Sequence, residues 1–569
     1  MTAMHAHPGR RTISRRIRAV AGLLAAGILL AGCQGVPSSG PVAAGLTDLE
    51  QSDQQVLFNP NRPVEGASAK DIVGGFVDAA SSSTDNYAIA RQFLSPDYAE
   101  QWDPSAGVFI YEGSRPFREP VEGVAILSLS ATALLDEHGT LTPTPEGPTT
   151  DVRFEVVQVD GEWRISSAPN GIILDQAIFT EVWAPHQLYF ADVAGVLVPD
   201  TRWFLSRATA STNIVAELIA GPADPLLGAV RSGFPTGTVL AAEAVPIVEG
   251  TAKIDLSGEV ENADAADREL MSAQLAASLR SVRGVTGFAI SVNQTPGFAE
   301  GPVAAQPVSG APKSKFSAVI MGEDGFGFLS TAGFEPLPGI GDAIAALDPS
   351  AVTLSLDEPV LAAVLENGRV TVFGAGGPVP VDDRPGVLAP SVDRYEYVWV
   401  GSSATPTTVT ATRIGRDPVS IAVPWLDGLS LRALRVSPDG SRIAALVADG
   451  DSSGVVVGGI MRDREGRPIA VTETAVVSMF LPGAPIDLDW MDETRFVTLT
   501  EVGSVARVTI GGPGLFPVEA GSVAEGVSIA GTGSRSQLRV LDAEGALFGL
   551  QGSGWQRQAN GVELLAKRG

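Results

Sequence analysis

From about residue 316 onward the chain repeats one short design: an apolar strand, a polar reversal, then a second apolar strand. Residues 353–357 lead to 361–364 and an Asn367-Gly368 turn, and 391–393 lead to 397–400. Residues 434–440 lead to 442–447, 486–490 lead to 495–499, and 527–530 lead to 537–540. The blocks recur every ~35–55 residues, a period close to that of propeller blades. One small antiparallel sheet cannot bury both of its faces, whereas sheets stacked radially bury each other's. The pattern therefore predicts an all-β propeller over residues 316–569, with a β-sandwich as the alternative. Five blocks are visible, and residues 316–329 are in place to complete another.

A second feature sits at the other end. Arg10, Arg11, Arg15, Arg16 and Arg18 precede an apolar run over 19–30, and Leu30-Ala31-Gly32-Cys33 follows with the only cysteine in the chain. Basic, apolar and small residues in that order mark an export signal with a cleavage point. The run is shorter than the ~20 residues that cross a bilayer. Leu30-Ala31-Gly32-Cys33 resembles the lipobox of bacterial lipoproteins. That resemblance implies a diacylglycerol on the Cys33 sulfur, an acyl group on its freed amine, and a signal peptide over 1–32. The expected location is the extracytoplasmic face of the cell membrane, held by the lipid on Cys33. Ser14-Arg15-Arg16 carries a twin arginine, but Ile17-Arg18 lacks a strong hydrophobic continuation, and general secretion is the expected route.

Composition narrows the function. The formal net charge is −26, and loss of 1–32 removes five arginines and no acid, leaving 34 basic against 65 acidic residues. Such a chain repels nucleic acid and anionic lipid headgroups alike, so the acyl group is the membrane attachment. With Cys33 committed to lipid, no internal disulfide can form, and each core must hold by packing. Four histidines, two of them in the signal, cannot build a multi-histidine metal site. No metal and no cofactor is expected.

Between the two ends, 33–66 reads as a flexible tether, since Pro37, Pro41, Pro60 and Pro63 break any helix or central strand. In 67–184, Ile72, Val73, Phe76 and Val77 fall at helical spacing, and Tyr87, Ile89, Ala90, Phe93 and Leu94 predict a second helix ending before Pro96. Tyr98 and Trp102 extend its apolar face. Val152, Phe154 and Val156 then alternate along a strand, Asp160-Gly161 turns, and Trp163 and Ile165 return. Helices followed by a curved antiparallel sheet resemble the cone of nuclear transport factor 2-like (NTF2-like) proteins. Trp102 and Trp163 are read as core.

Residues 185–300 predict a second α+β unit. A strand at 188–192 turns into another at 202–204, and Ile214, Val215, Leu218 and Ile219 stripe a helix capped by Ser211 or Thr212. Strands follow at 239–240 and 252–257, then a helix carrying Leu270, Met271, Gln274 and Leu275, and a closing strand at 285–292. Leu188-Tyr189-Phe190, Leu218-Ile219-Ala220-Gly221-Pro222, Pro235-Thr236-Gly237-Thr238 and Ile254-Asp255-Leu256-Ser257 stand in the order of GerMN domains, which the unit resembles. Lys253 departs from the small residue usual before that last motif. The resemblance implies a binding module of the cell envelope, with Asp192 and Asp255 in structural roles at turns. A linker over 301–315 leads to the propeller.

No catalytic set emerges. The GxSxG pattern occurs at 450–454, where it overlaps the Asp449-Gly450-Asp451 turn and is not read as a nucleophile elbow, and the similar stretch at 526–530 lies inside a strand block. His138 and His186 have no acid–nucleophile arrangement around them, and no Gly-Lys pair exists to form a phosphate loop. Asp449-Gly450-Asp451 reads as a solvated turn rather than a calcium loop. The chain is expected not to be an enzyme.

Lipobox, tether, two α+β units (NTF2-like, then GerMN-like) and a propeller together resemble the LpqB family of actinobacterial lipoproteins along nearly the whole chain. That resemblance implies a partner, the extracellular domain of the MtrB sensor histidine kinase, and through it an influence on the MtrA–MtrB two-component system, envelope homeostasis and division. The expectation is an accessory binding regulator. The alternatives are an envelope sensor of a cell-wall ligand and, behind it, a glycan-active propeller enzyme, which three or more carboxylates converging in the propeller funnel would favour.

Overall fold

The computed structural model describes residues 60–569 apart from 206–208, 305–317, 331, 356–360, 375, 451 and 532. The first unit opens with the helix Ala69–Ala79, started by Ser68, whose hydroxyl accepts from the Asp71 amide at 3.2 Å while Asp71 reaches back to the Ser68 amide. It buries Ile72, Val73, Phe76 and Val77 against a sheet. The predicted second helix is broken in two, Ala88–Arg91 and Pro96–Gln101. Pro96 starts the latter rather than ending the former, because its missing N–H costs nothing in a first turn. The sheet's main path pairs Glu162–Ser167, Thr150–Val159, Val124–Leu135, Val108–Glu112 and Ile172–Asp175 in that order. Asp160 and Gly161 both take positive φ, as a two-residue hairpin turn requires. Trp102 is core: it lies edge-on to Phe76 at 5.1 Å and donates from Nε1 to the Gly171 carbonyl at 3.2 Å.

The second unit begins with a long hairpin, Trp183–Ala191 paired to Leu197–Leu205. A separate sheet runs Ile247–Val248, Thr251–Leu256, Gly287–Val292 and Thr295–Pro302, with the middle pair parallel. The helices Ala210–Ala220 and Ala265–Ser278 supply Ile214, Val215, Leu218, Met271 and Leu275 to its core. Three details differ from the sequence reading. Ser211 and Thr212 lie inside the first helix and bond the Val245 backbone instead of capping. Leu240 makes only an isolated bridge to Leu256. Gly287–Val292 is an inner strand, because the polar-looking Thr295–Pro302 hairpins back onto it.

The C-terminal part is a propeller with six four-stranded blades among the described residues. Blade two is Ala351–Asp382, blade three 391–422, blade four 430–481, blade five 484–524 and blade six 526–559. Blade one takes three strands from Ala318–Pro336 and its innermost strand, Val562–Arg568, from the far end of the chain. That strand pairs antiparallel with Ala318–Gly322 and touches blade two through Thr353 and Leu354, closing the ring. Each blade buries alternate faces against its neighbours, as the repeat predicts.

A candidate interaction site at the meeting of three units

Leu30, Ala31, Gly32 and Cys33 lie outside the described residues. What the structure does show is how the three folded units meet, and the hairpin 183–205 is the piece they share. The described residues fall in one compact unit. Trp203 stands at the junction. Its ring packs on Phe179 of the first unit at 5.1 Å and on Phe516 of blade five at 5.6 Å, and its Nε1 donates to the Gly514 carbonyl at 2.7 Å.

On one side the hairpin grips the first unit through charge. Arg202, 2% exposed, donates to Asp200 (2.9 Å), Glu217 (3.4 Å) and the His138 carbonyl (3.0 Å). His138 Nδ1 stands 3.1 Å from Glu217. Burial raises the Glu217 carboxyl above its usual range, and His138 and Arg202 only partly offset it.

On the other side the hairpin and the segment after Pro222 seat on the propeller. Tyr395 of blade three donates its hydroxyl to Asp192, and burial together with that carboxylate pushes the phenol well above its ordinary range. The Arg462 guanidinium lies 4.4 Å over the Tyr395 ring and pairs with Asp393 at 2.6 Å. Arg442, itself paired to Asp439, donates to the Pro199 carbonyl. Thr472 and Thr474, on the outermost strand of blade four, bond the Pro225 and Asp224 carbonyls at 3.2 and 3.1 Å. An outer strand edge that could pair with a foreign chain is thereby covered. Gly459 permits the approach: a Cβ there would meet the Pro225 oxygen at 2.6 Å.

Asp192 thus has the expected turn role, accepting from the Ala194 and Val196 amides, and a second one that no local pattern shows, the bond to Tyr395. Asp255 accepts from Ser291 and the Gln294 amide at a turn. His186 bonds Ser281, and burial lowers its imidazole below the usual range. It is not brought together with His138, which bonds Glu217 instead.

The propeller axis holds Asp487 and Asp489 with Lys567 and Arg435. Lys567 Nζ donates to Asp487 at 2.6 Å and to the Leu488 carbonyl at 2.8 Å. Arg435 is spent on the carbonyls of Ala389, Pro390, Leu434 and Leu488. Burial opposes the Asp487 charge, but Lys567 and Arg435 hold its carboxyl below the usual range, whereas burial pushes Asp489 up to about 6. Two carboxylates with two cations among them make a balanced lock. Among the described residues no group of three or more histidines, cysteines or carboxylates could hold a metal. A cavity of about 290 Å³ opens in the first unit between Val77, Asp78, Tyr111, Arg115, Asp175 and Ile178, with Arg115 and Asp78 paired at 2.8 Å.

Two α+β units fixed by a shared hairpin onto a six-bladed ring define a modular protein whose parts are recognisable one by one. Residues 62–180 match the family described as "Lipoprotein LpqB, N-terminal domain", 187–297 the one described as "Sporulation and spore germination", and 326–564 the one described as "Lipoprotein LpqB beta-propeller domain". The chain belongs to the LpqB family of lipoproteins. It is 27% identical to Lipoprotein LpqB of Cutibacterium acnes, over 87% of each chain, and 26% identical to that of Streptomyces coelicolor, over 89% of this chain and 90% of that one. The first GerMN domain of the sporulation protein GerM from Bacillus subtilis is similar at 19% identity over 22% of this chain and 97% of that one, with a TM-score of 0.19. Membership makes this a lipid-anchored, membrane-associated protein. No helix among the described residues is long and apolar enough to cross a membrane.

Proposed function

We propose that this lipoprotein is an accessory binding protein on the extracytoplasmic face of the cell membrane. It engages the extracellular domain of an MtrB-like sensor histidine kinase and so influences envelope homeostasis and division. It does so without catalysis of its own. The observation that carries this reading is the seam around Trp203, which locks three units into one platform. A pre-ordered surface loses less entropy when it docks than units on flexible links do. Lipid on Cys33 confines that platform to the membrane that holds the kinase, which raises the effective concentration of each for the other.

The test is a binding titration of the purified kinase ectodomain with a version of this protein lacking Met1 to Cys33. Saturable binding is expected; absence of binding at high micromolar concentration refutes the partner assignment. A second reading, a sensor of a cell-wall ligand, is favoured by the cavity between Asp78, Tyr111 and Arg115, whose mixed apolar and charged lining suits a small polar molecule. Muropeptide-induced chemical-shift changes confined to that unit are its expected signature.

A further inference from the structure

The cavity in the first unit is built by strand register rather than by a motif. Strand Val108–Glu112 runs parallel to Ile172–Asp175, and the pairing sets Tyr111 beside Asp175. Ile173, two residues before Asp175, shares their face. Arg115 follows the first of these strands, and Asp78 comes from the last turn of the helix Ala69–Ala79. The Tyr111 ring is buried, 6% exposed, yet its hydroxyl is not sealed from solvent and has no hydrogen-bond partner among the described residues. Asp175 gives Oδ1 to the Ala177 amide at 2.9 Å. Its Oδ2 accepts nothing, and no cation pairs with it among the described residues.

Two carboxylates and one guanidinium line the space. Arg115 and Asp78 face each other at 2.8 Å with side-chain exposures of 29% and 63%, so this pair neutralises itself at the open end. What remains inside is the negative charge of Asp175 with an unbonded phenol beside it. All three charges reach Tyr111: burial raises its phenol above the usual range, Arg115 pulls it down, and Asp175 and Asp78 push it up, so they share one site. An ammonium group complements that remainder, donating to Asp175 and to the phenol oxygen. Arg115 uses one nitrogen on Asp78, and its other N–H groups, without partners among the described residues, suit a further carboxylate. Val77, Ile173 and Ile178 supply an apolar wall. At about 290 Å³ the space lies at the lower edge of small-molecule sites, too small for a glycan strand and sufficient for one amino acid.

We propose that this cavity is a receptor for an amino-acid head group, with the ammonium on Asp175 and Tyr111, the carboxylate on Arg115, and an aliphatic side chain against Val77, Ile173 and Ile178. The proposal rests on the sensor reading given above and narrows it to one ligand chemistry. Two sources carry that head: a free amino acid, and the unlinked end of a diamino acid in a muropeptide. Tyr111 separates a binding role from a structural one. A hydroxyl that bonds nothing adds nothing to the stability of the fold, and phenylalanine would fill its place equally well.

The test is calorimetric titration of the full-length lipoprotein in neutral detergent. The probes are leucine, isopentylamine, which lacks the carboxylate, and isocaproate, which lacks the ammonium. Saturable leucine binding is expected, with the amine about tenfold weaker and the acid giving no heat. Tyr111→Phe is expected to melt at or above the wild-type temperature and to bind leucine about threefold more weakly or worse. Asp175→Asn, which keeps the helix cap, is expected to abolish binding of leucine and of the amine. Arg115→Gln is expected to reduce leucine to the affinity of the amine. Leucine binding unchanged by both Tyr111→Phe and Asp175→Asn overturns the site. An amine as tight as leucine overturns the carboxylate contact, and isocaproate tighter than leucine overturns the ammonium contact. In a second arm, displacement of leucine by a muropeptide with an unlinked diamino-acid end assigns the head to the wall, and leucine binding without displacement assigns it to free amino acids. Muropeptide binding that leucine does not compete with and Asp175→Asn does not weaken overturns the head-group chemistry and leaves the sensor reading standing. If neither ligand binds, both fall.

Discussion

Replacing Lys567 by methionine tests whether the propeller ring is closed by charge as well as by strand pairing. Lys567 lies on the innermost strand of blade one, 5% exposed, with Nζ 2.6 Å from Asp487 and 2.8 Å from the Leu488 carbonyl. Its hydrocarbon stem has a near match in methionine, so the substitution removes the charge and leaves the packing. Asp487, its side chain 14% exposed, then keeps the Ser528 hydroxyl and the Ile529 amide as donors but only the more distant Arg435 as a cation. Breaking a buried pair by removing one member costs about 3–5 kcal/mol, whereas removing both costs far less. The Lys567→Met and Asp487→Asn variants should therefore each be destabilised, and the double variant should recover most of the loss. Because a chain of several units need not unfold in one step, the local readout is amide exchange across Val562–Arg568, with the global denaturant midpoint as its companion. The sign of the pH dependence is also fixed. The Asp487 carboxyl, held low by Lys567 and Arg435, stabilises the wild type at pH above the unfolded value of 3.8, and that contribution is lost on acidification through its folded pKa. In Lys567→Met the folded pKa rises, so the deficit relative to wild type should be largest at neutral pH and shrink in acid. A single variant as stable as wild type at pH 7, or a double variant as damaged as the sum of the singles, refutes the lock.

Other consequences are smaller in scope. Asp489, raised from 3.8 to about 6 by burial, contributes stability that is complete below 3.8 and lost as pH climbs through 6. Asp489→Asn should remove that slope and gain up to about 3 kcal/mol at pH 7–8, visible as a denaturant midpoint that is flatter across pH 4–8 than the wild type's. Trp203→Ala empties the junction of three units and should cost about 3–5 kcal/mol, with faster proteolysis between them and a larger radius of gyration by X-ray scattering; an unchanged radius and protease pattern count against the seam. Cys33→Ala should fold normally and leave the membrane fraction, a claim that retention in washed membranes would sink.

What could be read from the chain beforehand divides along a physical line. Strand blocks, the helical stripe of Ile72, Val73, Phe76 and Val77 and the Asp160-Gly161 turn announce themselves because period and turn chemistry are local and repeat over many residues. Ser211 was misread for the opposite reason: a serine at a helix start offers a cap from sequence alone, and only the distant Val245 carbonyl shows where its hydroxyl goes. The ring-closing strand, Val562–Arg568, falls outside the repeating blocks, and nothing near it says that it completes a blade begun about 240 residues earlier. The seam is less legible still. Tyr395, Thr472, and Gly514 with Phe516 are isolated positions in blades three, four and five, each paired to a segment of the α+β units hundreds of positions away, and no periodicity links them. Contacts of this kind carry the specificity of the assembly, because each is made by one side chain meeting one backbone or ring. The hydrophobic repeats that can be read early are compatible with several arrangements of the same units. Which arrangement forms is decided by where Asp192, Pro199 and Trp203 find their partners on the blades.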